Sequence, residues 1–169
     1  MKEISKVVIA KIVCLVVLFI ATVVGCHAHF NNIFKDWWDV KGVPEACKAV
    51  KACPSNAMAM ERTFVAFTII FVILSVISIV ASFVIDAGKL RLPDAGYHAV
   101  AGLLLFISGI LLIAAASQID DATTPSTSPG QTIRLLREYT KYSNKLAGGS
   151  LAIIDALLYF ATSGLIFKS

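Results

Sequence analysis

The sequence predicts an all-α membrane protein: one domain, residues 1–169, folded as a four-transmembrane-helix bundle. Two observations carry this. Residues 7–26, 63–85, 95–117 and 146–167 are apolar runs of 20, 23, 23 and 22 residues, and about 20 helical residues cross a hydrocarbon core roughly 30 Å thick. Mean hydropathy is +0.80, with 57% hydrophobic and 15% charged residues, whereas about a quarter of the residues in soluble domains are charged. The segments left between four spans are too short for a separate soluble catalytic domain.

The first span follows a short basic tail, Met1–Lys6. Its Val23-Val24-Gly25-Cys26 stretch fits the small-residue pattern that precedes a lipid-modified cysteine. The apolar run is nevertheless longer than the roughly 7–15-residue core of a cleaved signal, and three more spans follow, so the expectation is a retained span. Lys11, one turn inside it, is expected to snorkel to the headgroups. Cys14 reads as an inert small hydrophobe.

Residues 27–62 form the larger first loop, with Trp37, Trp38, Cys47, Cys53 and Pro54. Cys47 and Cys53 lie outside apolar sequence. A disulfide is their natural reading if the loop faces an oxidising compartment; free thiols and metal binding are the alternatives. Cys26, His27 and His29 suit zinc or copper as donors, but their spacing matches no closed zinc module, so neither a metal site nor any other cofactor is expected. Trp37 and Trp38 are candidates for an interfacial anchor or for packing the loop onto the helices. Arg62, next to Glu61, opens the second span and is expected to anchor its interface.

The link 86–94 is nine residues long, which makes the second and third spans antiparallel neighbours. In the third connection, 118–145, residues 122–130 read ATTPSTSPG, a flexible composition. Leu135, Tyr139, Tyr142 and Leu146 then recur at helical spacing, so the fourth helix is expected to begin early and to extend beyond the bilayer. Asp155 falls at the middle of the last span, where a carboxylate costs several kcal/mol unless it is neutral or paired. It should face the bundle interior. It is read either as a proton or cation site, or as a structural carboxyl bonded to Thr68, Ser75, Ser78 or Ser108. Gly148, Ala152 and Ala156 form a small-xxx-small row that lets another helix approach closely.

Four crossings put loops 27–62 and 118–145 on one side, and the termini with the 86–94 link on the other. Nine Lys/Arg lie on the loop side and six on the termini side, but the six crowd next to the spans, where the positive-inside bias is set. This favours cytoplasmic termini and an extracellular first loop. The net charge of +4 has no long basic run behind it and gives no nucleic-acid signal.

Four spans, a larger first loop with Trp37, Trp38, Cys47 and Cys53, a short second link and Arg62 at the start of the second span together resemble the claudin-like tetraspan superfamily. This group includes claudins, peripheral myelin protein relatives and amastins. The stretch CPSNAMAMERTFVAFTIIFVI, residues 53–73, looks most like amastins, and AGLLLFISGILLIAAASQ, residues 101–118, looks claudin-like. The chain departs from claudins in having Asp-Trp-Trp-Asp in place of Gly-Leu-Trp and in its closely spaced cysteines. The resemblance implies a plasma-membrane protein with inside termini. The leading expectation is a non-enzymatic surface protein in adhesion, junction or membrane-interface organisation. It would act through its exposed loops and through lateral assembly in the lipid bilayer, as a homo-oligomer or with other membrane proteins. The competing readings are proton or ion handling centred on Asp155, and an accessory subunit of an organellar membrane complex.

Overall fold

A computed structural model describes residues 6–32, 56–123 and 130–168. Five helices account for nearly all of them: α1 (Lys6–Phe30), α2 (Ala57–Val84), α3 (Ala87–Thr123), α4 (Gly130–Tyr139) and α5 (Tyr142–Lys168). Helices α1, α2, α3 and α5 are long and apolar enough to cross a membrane. The protein is an integral membrane protein of four helical spans, and no strand occurs among the described residues.

Val and Ile dominate stretches of α1 such as VVLFIATVV, and in water that composition favours strands. In lipid each backbone N–H and C=O must be satisfied within the segment, so the same residues become helical. The outward faces stay apolar, as at Val16, Phe19, Ile77, Leu103 and Leu157. The inward faces recur every three or four residues: Lys11, Cys14, Leu18, Ala21 and Gly25 on α1, and Glu61, Phe64, Thr68, Phe71 and Ser75 on α2.

Packing runs around a closed ring, α1 against α2, α2 against α3, α3 against α5 and α5 against α1, with α3 and α5 in the most extensive contact. Two glycine crossings set the α5 approaches. A Cβ on Gly148 would lie 3.1 Å from the Gly25 backbone, and one on Gly149 would lie 2.8 Å from the Gly109 carbonyl oxygen, so both interfaces exclude a side chain at these points. Between the helices lie three apolar layers: Cys14, Leu18, Phe71, Ala101, Leu105, Ala156 and Tyr159; Ala21, Phe64, Leu112 and Ala152; and Ala57, Met58, Ala115 and Ile119.

Helix bounds differ from the sequence expectation in three places. The second link shrinks to Ile85 and Asp86, because the Asp86 carbonyl accepts from the Lys89 and Leu90 amides and starts α3 at once. With Pro93 tolerated near its N-terminus, α3 runs 37 residues, about 55 Å at 1.5 Å per residue, so this helix exceeds the bilayer core furthest. The segment before the last span is helical, but as a separate element. Lys141 takes a left-handed φ of 55°, which ends α4 and lets α5 begin anew.

Candidate functional site

The interior of the bundle carries ionisable groups at three depths. At the end where α1 finishes and α2 and α5 start, Glu61 and Lys145 are fully buried, with Lys145 Nζ 2.6 Å from Glu61 Oε1. That contact is an ion pair whose angles fall short of a hydrogen bond. The other carboxylate oxygen of Glu61 accepts from His29 Nδ1 at 2.9 Å. Three helices therefore converge on one carboxylate, and Asn144 Nδ2, donating to His27 Nδ1 at 3.1 Å, adds a second tie between α1 and α5. Outside the spans, the Arg137 guanidinium donates twice to the Asp120 carboxylate, at 2.8 and 2.7 Å, and holds α4 to the end of α3. Those two bonds stabilise the Arg137 cation and raise its pKa.

At the opposite end Lys11, 2% exposed, has its Nζ 2.5 Å from Asp94 Oδ2 and donates to Ser82 Oγ at 2.6 Å. Ser78 Oγ donates to Asp94 Oδ1 at 2.8 Å, and His98 Nδ1 donates to the Asp94 carbonyl at 2.8 Å. A cavity of about 300 Å³ opens here, lined by Lys11, Ser82, Arg91 and Asp94 among apolar residues. The expectation that Lys11 snorkels to the headgroups is corrected. Lys11 sits in register with the inward face of α1, and a buried carboxylate waits opposite it.

Between the two clusters lies Asp155, 0% exposed, with neither oxygen hydrogen-bonded. It faces the interior, but the four proposed hydroxyl partners are all engaged elsewhere. Thr68 Oγ1 donates to the Phe64 carbonyl, Ser75 joins Tyr97 at 2.9 Å and Tyr159 by a close contact, Ser78 holds Asp94, and Ser108 donates to the Leu105 carbonyl. Cys14 Sγ and Thr162 Oγ1 meet at 3.3 Å.

Of the other residues singled out from sequence, Gly148 meets Gly25 on α1, Ala152 packs with Ala21, Phe64 and Leu112, and Ala156 packs with Leu18 and Leu105. Arg62 lies on the exposed side of α2, one residue from buried Glu61. Trp37, Trp38, Cys47 and Cys53 lie outside the described residues. His27 and His29 belong to α1 and His98 to α3, at opposite ends of the bundle.

Sequence reasoning missed Glu61, Lys145, Lys11 and Asp94 as interior groups. The available signal was phase. Lys145 precedes Gly148, Ala152 and Asp155 at three- and four-residue steps, and Glu61 stands in the same relation to Phe64 and Thr68.

Fold and site together define a four-span membrane bundle in which, among the described residues, the buried lysines are paired with carboxylates across helices at both ends and the Asp155 carboxyl lies between them. The chain matches no family model, no curated protein and no solved structure.

Proposed function

We propose that the protein is a non-enzymatic surface protein of the plasma membrane that organises the membrane interface in adhesion or junction formation through its exposed connections and through lateral assembly. The observation that supports this reading most is the clamp of His29, Glu61 and Lys145. It fastens α1, α2 and α5 at the end of the bundle from which the connections 31–56 and 124–129 leave. Such a clamp fixes the ends of α1, α2 and α5 relative to one another, and fixed attachment points lower the ordering entropy of recognition.

Orientation follows the positive-inside rule. Lys11 and Lys145 are neutralised by Asp94 and Glu61 inside the bundle, which removes one cation from each side and leaves the denser cluster of Lys2, Lys6, Lys89, Arg91 and Lys168 beside the termini. We therefore place the termini in the cytoplasm and the first loop outside, with Cys47 and Cys53 closing a small ring there as the resemblance to claudin-like and amastin proteins implies. The partners are lipid, further copies of this chain or other membrane proteins.

The test is labelling of Cys47 and Cys53 with an impermeant maleimide in intact cells, with and without prior reduction. Labelling that appears only after reduction is the expected result. Labelling that needs permeabilisation but no reduction overturns the surface reading.

A further inference from the structure

We propose that Asp155 is an exchangeable proton-binding site loaded from one end of the bundle only, the end that carries Lys6 and Lys168. This goes beyond the surface role and does not depend on it.

The argument begins with what is missing around the carboxyl. Asp155 is fully buried, both of its oxygens lack hydrogen-bond partners, and neither buried lysine pairs with it. An isolated carboxylate at this depth costs several kcal/mol, so the site calls for a cation. The smallest one fits best, because among the described residues no group of three or more His, Cys, Asp or Glu side chains gathers there and the apolar residues Leu18, Phe71, Ala101 and Leu105 pack around this level.

The second step is access. One helical turn beyond Asp155 stands Tyr159, whose hydroxyl meets Ser75 Oγ, which in turn meets the Tyr97 hydroxyl at 2.9 Å. The His98 ring lies 4.9 Å from that of Tyr97 and 5.4 Å from that of Tyr159. His98 Nδ1 is 3.4 Å from Asp94 Oδ1, and Asp94 lines the open cavity. Hydroxyl and imidazole groups each accept one proton and donate another. Tyr97, Ser75 and Tyr159 form the hydrogen-bonded part of the route. The steps from His98 to these hydroxyls and from Tyr159 to Asp155, which are not hydrogen-bonded in the resting structure, require side-chain rotation or a bridging water. The only bonds made or broken are O–H and N–H, and the proton released returns to cavity water.

Toward the other end the route closes. Ala21, Phe64, Leu112 and Ala152 form a dry layer below Asp155, and Thr68 and Ser108 turn their hydroxyls back to their own helices. The bundle therefore senses protons from one side and does not conduct them across. The titratable groups around Asp155 are Cys14 from α1, Tyr97 and His98 from α3 and Tyr159 from α5; α2 contributes Ser75 and Thr68, which do not titrate.

The experiment is infrared spectroscopy of the full chain in proteoliposomes. The C=O band of protonated Asp155 is identified by its loss in Asp155→Asn or, if that variant does not fold, by its shift in Asp155→Glu. On transfer to D₂O buffer the band is expected to shift without unfolding. Ser75→Ala with Tyr159→Phe should slow that shift about a hundredfold, the range set by a positioned proton-transfer group, and His29→Gln at the far end should leave it unchanged. The proposal is overturned by the absence of an Asp155 band, by a band that exchanges only on denaturation, or by a rate that does not respond to the hydroxyl pair.

Discussion

Replacing Lys145 by Met tests whether the ends of the bundle are held by charge. The change leaves an unbranched side chain one heavy atom shorter and removes the cation 2.6 Å from Glu61 Oε1. At an effective dielectric constant of about 20, that separation corresponds to a gross attraction of about 6 kcal/mol. Desolvation of two fully buried ions offsets much of it, and His29 remains on the other oxygen. The net effect of leaving the buried Glu61 carboxylate without its lysine is a loss of about 3–5 kcal/mol. Reversible unfolding in mixed detergent and SDS micelles, followed by helical circular dichroism, measures it. Glu61→Gln should destabilise on a similar scale, and the double variant should lie at least about 1–3 kcal/mol above the sum of the singles. Losses below about 1 kcal/mol, the value of an exposed pair, or strictly additive singles would refute the clamp.

Gly149→Ala puts a Cβ 2.8 Å from the Gly109 carbonyl oxygen and should cost about 1–3 kcal/mol by overpacking. Gly164→Ala meets nothing within 4 Å and should be neutral or mildly stabilising in the same assay. Lys141→Gly relieves the left-handed backbone at the α4–α5 break and should raise the unfolding free energy by up to about 1 kcal/mol. In a Cys47→Ser/Cys53→Ser background in detergent, maleimide should label Cys26 in the folded protein. Cys14, buried against Thr162, should label only after denaturation, and its reaction in the native state would show that the bundle opens at that depth.

The number of spans, their order and the two-sided arrangement of the connections were legible in the sequence. Length and apolarity fix them against the thickness of a bilayer, with no reference to tertiary contacts. Asp155 was legible for the same reason, because a carboxyl in mid-span is too deep to turn to the headgroups. Lys11, Glu61, Asp94 and Lys145 were not legible as interior groups. Each lies near a span end, where a charge can turn to the headgroups or to a neighbouring helix, and composition is the same in either case. The choice depends on whether an opposite charge faces it from another helix, as Asp94 faces Lys11 and Glu61 faces Lys145. The partners of Asp155 were misjudged on similar grounds. Four hydroxyls lay at plausible depths, but only the packed bundle commits Ser75 to two tyrosines and Ser78 to Asp94. Hydrophobicity sets how often the chain crosses the membrane, because it sums along the sequence. Ion pairs and hydrogen bonds depend on distances of a few ångströms between helices far apart in the chain, and those distances exist only once the helices have packed.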